Sequence, residues 1–153
     1  MKTLGIPFAL GIVSATFWAA QDPFEGTWKL NPARSASTPG PTPEASVMKI
    51  EARENGIKVI RDLSDSAAAA GHWEFTASFD GKDYAVANDP TRDTVALKRV
   101  DAYTLHAVNK KNGKVNSAPQ WVVSRDGKTL TIRWQGTNAQ DQATTNVRVY
   151  DKQ

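Results

Sequence analysis

Apolar and polar residues alternate with a period of two along most of the chain, and no stretch sustains the period of a helix. Successive side chains of an extended strand point to opposite faces, so such alternation marks strands with one buried face. Met48, Ile50 and Ala52 alternate with Lys49 and Glu51; after Asn55-Gly56, Ile57 and Val59 alternate with Lys58, and Leu63 closes the run. Trp73, Phe75, Ala77 and Phe79 then alternate with Glu74, Thr76 and Ser78, the cleanest strand in the sequence. Asp80-Gly81 turns this strand into 84–86, which Asn88-Asp89-Pro90 ends. Further strands are predicted at 94–100, at 103–109 after Asp101-Ala102, and at 115–124 after Asn112-Gly113. Pro119 has no N–H to give a ladder, so the 115–124 strand is expected to be bulged or at an edge. Asp126-Gly127 leads into Leu130, Ile132 and Trp134, alternating with Thr131, Arg133 and Gln135, and a polar loop at 137–142 precedes the last strand at 144–151.

The first strand is Phe24-Glu25-Gly26-Thr27-Trp28-Lys29-Leu30, with Trp28 and Leu30 on one face and Gly26 free to approach a neighbouring backbone. The count is about ten short strands in series. Asn-Gly or Asp-Gly turns favour hairpins, and hairpin after hairpin means an antiparallel up-and-down meander. A long meander exposes two edges unless it closes, so the fold predicted is an all-β antiparallel barrel of about ten strands. A barrel of that size is slightly wider than one its own side chains just fill, and can hold a small ligand. The alternative is a two-sheet sandwich, against which the short serial turns argue. Residues 31–44 contain Pro32, Pro39, Pro41 and Pro43 and read as a long loop. The alanines at 67–70 lie in a connection and are too few for a helix that stands alone.

Residues 1–20 differ in kind: Lys2, an almost wholly apolar run over 4–18, then Ala19-Ala20. This reads as a secretory signal peptide, leaving 21–153 as one barrel domain, secreted or periplasmic. The chain has no Cys, so export without disulfides points to a bacterial envelope. The formal charge of +3 falls to +2 without Lys2, and the charges are scattered, so neither nucleic acid nor stable membrane insertion is expected. His72 and Glu74 share a strand face and, with His106, are the only candidates for zinc or haem iron. That face is opposite Trp73 and Phe75, which makes surface histidines the simpler reading and no cofactor the expectation. A cysteine nucleophile, a Gly-x-Ser-x-Gly elbow and a phosphate-cradling glycine loop are all missing, so an enzyme is not expected.

The Gly26-x-Trp28 strand resembles the first strand of the lipocalin and fatty-acid-binding-protein superfamily, and the whole string from Phe24 to Leu30 is most similar to the fatty-acid-binding branch. The last strand adds Arg148-Val149-Tyr150. In that family an Arg-x-Tyr holds a ligand carboxylate inside the barrel, and Arg and Tyr suit the task because they supply a planar donor fork and a hydroxyl. The resemblance also implies an arginine stacked on the first-strand tryptophan, a cation–π contact that closes the barrel end, a place open to Arg148 or Arg133. The family's helical lid has no counterpart here, since the Pro-rich segment stands in its place. The chain also resembles small secreted lipocalin-like proteins of bacteria.

These readings leave Arg148 and Tyr150 open. If Val147 and Val149 face the core, Arg148 and Tyr150 face solvent, unless a bulge or twist turns them inward. The expected ligand wall is Trp73, Phe75, Leu97, Leu105 and Ile132, with Arg148 and Tyr150 as polar anchors. The expected function is reversible binding of a small hydrophobic or fatty-acid-like ligand by a monomer. The alternatives are an envelope interaction module with a filled barrel, and an enzyme using polar groups in the cavity. N-terminal sequencing of the exported protein should begin near Gln21; residues 1–20 intact in a membrane pellet would contradict the signal-peptide reading.

Overall fold

The computed structural model describes residues 20–41, 45–63, 71–137 and 140–153. The predicted signal peptide, apart from residue 20, and the alanines at 67–70 lie outside the described residues. The strands are β1 (Gly26–Leu30), β2 (Ala36–Thr38), β3 (Ser46–Arg53), β4 (Gly56–Leu63), β5 (Trp73–Ser78), β6 (Tyr84–Ala87), β7 (Thr94–Asp101), β8 (Thr104–Lys111), β9 (Lys114–Ser117), β10 (Gln120–Val123), β11 (Thr129–Thr137) and β12 (Ala143–Lys152). Ten of them close into one antiparallel barrel, in the order β1-β3-β4-β5-β6-β7-β8-β10-β11-β12, with β12 pairing back onto β1. All ten follow sequence order, so the predicted up-and-down meander is the topology of the protein.

Two turns show how sequence sets register. At Asn112-Gly113 both residues have positive φ, 50° and 74°, the mirror-type turn that matches strand twist, and Lys111 pairs directly with Lys114. At Asn55-Gly56 the turn sits one residue earlier than the dipeptide implies: Asn55 alone has positive φ, and Gly56 opens β4, paired with Arg53. Gly56 is needed for proximity instead. A Cβ there would stand 2.3 Å from the Ala77 carbonyl oxygen of β5.

Two segments depart from expectation. The 31–44 loop contains a turn of 3-10 helix at Pro32–Arg34 and the short strand β2. Ser35 to Thr38 carries no proline, so it can pair, and Pro39 ends it. β2 continues the line of β1 along β12, with Thr38 opposite Thr145 and Ala36 opposite Val147. The Ser35 side chain bridges the gap in the ladder: its Oγ donates to the Asn31 carbonyl (2.8 Å) and accepts from the Val149 N–H (2.9 Å). The strand predicted over 115–124 is β9 and β10, broken at Ala118 and Pro119 with a register shift against β8 between Asn109 and Lys110. It is bulged, and its two halves differ: β10 is interior, with β8 on one side and β11 on the other, whereas β9 pairs with β8 alone among the described residues. Pro119 still accepts the Ala107 N–H at 2.9 Å.

Toward one end of the barrel both insertions leave seams. Among the described residues β2 pairs with β12 and not with β3, and β9 pairs with β8 and not with β11. There β2, β12 and β11 form a three-stranded flap with no ladder on either side.

The opposite end is closed by aromatic packing. Trp28 is fully buried, and its indole N–H donates to the Phe24 carbonyl at 2.9 Å. Phe24, also fully buried, sits in a turn in which the Glu25 N–H bonds the Asp22 carbonyl. Arg99 of β7 lies 4.5 Å over Phe79 and 5.5 Å over Phe24 and pairs with Asp22, so it ties the chain before β1 across the barrel base. The cation over Trp28 is Lys152, its register partner, with Nζ 5.0 Å from the ring centroid. It is neither of the arginines expected there: Arg148 stacks on Trp134, and Arg133 is exposed. Gly26 makes room for this lysine, since a Cβ would stand 2.5 Å from Lys152 Cε.

Removing the Trp28 side chain leaves a large cavity and frees the Phe24 plug. Trp28→Ala should therefore lower stability by about 3–5 kcal/mol in urea denaturation, and a change below about 1 kcal/mol would mean the ring is peripheral.

Candidate functional site

The inward residues of several strands change from apolar to polar toward the open end. On β4 the series is Ile57, Val59, Arg61; on β8 it is Leu105, Ala107, Asn109; on β11 it is Leu130, Ile132, Trp134, Gly136. On β12 it is Tyr150, Arg148, Asn146, Thr144. The apolar half fills itself. In the polar half the side chains leave a cavity of about 540 Å³. That is the size range of sites for small organic molecules.

The direction of Arg148 and Tyr150 follows from register. β11 and β12 pair without a break from Thr129 opposite Asp151 to Thr137 opposite Ala143. Directly opposed residues share a face, so Tyr150 lies beside buried Leu130 and Arg148 beside buried Ile132. Both line the cavity, and no bulge is needed to turn them in. Val147 and Val149 point outward, and along the strand edge Val147 pairs with Ala36 while the Val149 carbonyl accepts the Asn31 N–H at 2.8 Å. β12 thus carries Val147 and buried Val149 on its outward face and Arg148 and Tyr150 on its inward one, which is why alternation alone could not orient this strand.

Of the seven residues read from sequence as a ligand wall, Trp73, Ile132, Arg148 and Tyr150 line the cavity. Phe75, Leu97 and Leu105 face inward but belong to the packed half. His72 bonds exposed Asp62 at 2.6 Å, His106 lies beside Gln120, and no metal-holding cluster occurs among the described residues.

The chemistry of the cavity is dominated by arginines that the sequence reading did not single out. Arg92, from the β6–β7 connection, is held by Asp89 (Nε to Oδ2, 2.8 Å) and donates to Asn109 Oδ1 (2.8 Å). Its guanidinium lies 4.3 Å over Trp73 and 5.6 Å over Phe75, two rings that stack on each other. The side chains of Arg92 and Asp89 are 7% and 8% exposed, so this is a buried pair. Burial lowers the Arg92 pKa and Asp89 pulls it back up; the group stays charged. The other Asp89 oxygen accepts from the Thr91 N–H (2.9 Å) and hydroxyl (2.7 Å). Asn109 passes the network on to Ser117 Oγ at 2.9 Å.

Arg61 lies 5.9 Å over Trp73. Arg148 lies 5.2 Å over Trp134 and donates through Nη1 to Ser37 Oγ (3.1 Å) and the Ala36 carbonyl (3.2 Å), which ties β12 to β2. Burial lowers the Arg148 pKa, nearby Tyr150 raises it, and Arg61 lowers it further. Trp121 also lines the cavity, and its buried indole N–H has no hydrogen-bond partner among the described residues. The sequence did contain one signal for this site: Arg61 and Asn109 each stand two residues beyond an inward apolar residue, at the same end of their strands.

No family model matches the chain, and no curated protein shows significant similarity to it.

Removing one partner of a buried pair leaves an uncompensated charge. Asp89→Asn should thus cost about 3–5 kcal/mol in denaturant unfolding, and Asp89→Leu with Arg92→Met should cost less than the single change. Equal stability of wild type and Asp89→Asn would show that the pair contributes nothing.

Proposed function

We propose that the protein is an exported, lipocalin-like carrier that reversibly binds a small amphipathic molecule in the open half of its barrel. The observation that carries this reading is the cavity itself: about 540 Å³, lined by Trp73, Trp121 and Trp134 and by the guanidinium groups of Arg61 and Arg148. Aromatic walls suit an apolar body, and a cation at its edge suits an acidic head. The calycin-like closure of ten strands around a first-strand tryptophan supports the lipocalin relationship, as do the Gly26-x-Trp28 and Arg148-x-Tyr150 strings. The protein acts as a monomer in this reading, since closure leaves no long free edge. It is a binder and not an enzyme: the one carboxylate lining the cavity among the described residues, Asp89, is held by Arg92 and Thr91.

Titration with a fluorescent fatty acid and with its uncharged analogue tests this. A charge-assisted contact contributes about 1.5–3 kcal/mol, so Arg148→Ala should weaken the acid by roughly ten- to a hundredfold and leave the neutral probe nearly unaffected. Equal losses for both probes would make Arg148 a support of β2 and not an anchor. No binding of either probe by wild type would overturn the reading in favour of an interaction module presenting its loops to an envelope protein.

A further inference from the structure

We infer that the cavity takes a doubly negative head group, a phosphate monoester or a geminal dicarboxylate on an apolar body, in preference to a single carboxylate. This rests on the ligand-binding reading above and narrows it. Four charged side chains line the cavity among the described residues: Arg61, Arg92, Arg148 and Asp89. Asp89 neutralises Arg92. Arg61 and Arg148 remain, and neither has a carboxylate within ion-pair distance among the described residues.

Arg61 is fixed in direction by its neighbours. It stands opposite Met48 on β3 and Trp73 on β5, both of which line the cavity, so it projects between them. Arg148 enters from β12 beside Ile132. Two like charges held in one partly closed space repel, and water in the mouth screens them less than bulk solvent would. A monoanion relieves one of them; a dianion relieves both.

Hydrogen-bond capacity points the same way. Arg148 uses Nη1 on Ser37 and the Ala36 carbonyl, and neither Nε nor Nη2 forms a hydrogen bond among the described residues. The Trp121 N–H adds another donor without an acceptor. The lining is therefore rich in unused donors, which a head with three or four acceptor oxygens satisfies and a single carboxylate does not.

Calorimetric titration at about pH 8, above the second phosphate pKa of about 6, separates the cases with four ligands of one chain length. These are decyl phosphate and decylmalonate as dianions, decyl sulfate as monoanion and decanol as neutral control. At least one dianion should bind about ten- to a hundredfold more tightly than decyl sulfate, the effect of one added charge-assisted contact. Which of the two binds more tightly identifies the source of the charge, phosphate or dicarboxylate. Arg61→Gln should abolish that margin, so that the dianions bind no more tightly than decyl sulfate does to the same variant, and Arg61→Lys should keep most of it. An unchanged urea midpoint in Arg61→Gln separates lost recognition from lost fold. Decyl sulfate bound as tightly as both dianions, or a margin that survives in a folded Arg61→Gln, would overturn the double-charge inference and leave the carrier reading standing. No heat of binding from any of the four would instead remove the carrier reading, and this inference with it.

Discussion

Everything in this molecule depends on the ladder between β1 and β12. Without it the meander is an open sheet with two edges and no inside. With it, Trp28 faces Lys152 and Leu30 faces Tyr150 across the seam, and each inward side chain acquires a neighbour from every direction. A ladder of three residue pairs is short for that task. It is held by what packs on it: the Trp28 ring with Lys152 across it, the Phe24 turn below, and the 31–35 segment hydrogen-bonded to the Val149 carbonyl. Closure also explains why the two ends differ. The chain before β1 supplies a plug at the base, whereas residues 36–38 after β1 lie along the wall at the mouth, paired with β12.

Most of the architecture was legible because one physical rule, period two with glycine-bearing turns, operates from residue 45 to the end. The ten strands, their order and their antiparallel sense follow from it directly. What was not legible had two physical causes. On β12 outward Val149 and inward Tyr150 are both buried, and the inward series runs on through Arg148, Asn146 and Thr144, so polarity alternation loses its meaning. The 31–44 segment reads as a loop because prolines dominate it, yet the four residues between Pro32–Arg34 and Pro39 extend the ladder, aided by the Ser35 hydroxyl standing in for a backbone group.

Four residues of the cavity lining were legible in the sequence. Trp73, Ile132, Arg148 and Tyr150 were readable from alternation or from family resemblance, and they do meet in the cavity. Phe75, Leu97 and Leu105 lie on the same inner face but deeper, and alternation carries no information about depth along a barrel axis. Arg92 could not be found that way, because it sits in a connection and enters the barrel by virtue of the Asp89 turn and the Asn109 side chain. Arginine in the connection reads as solvated; only the fold places it against Trp73.

The two seams beside the β2–β12–β11 flap give the barrel uneven stiffness. At the base ladders join β7 through β8, β10, β11, β12, β1, β3 and β4 to β5, and below the short β6 the gap between β5 and β7 is crossed by the Asp80–Lys98 bridge and the Gly81 N–H bond to the Leu97 carbonyl. At the mouth the flap carries Trp134, Asn146 and Arg148, and swinging it outward breaks no ladder among the described residues. One wall of the cavity is therefore less tied to its neighbours by backbone ladders than the rest, among the described residues. Backbone amide exchange, faster in β2 than in β1, is the direct measure of that compliance.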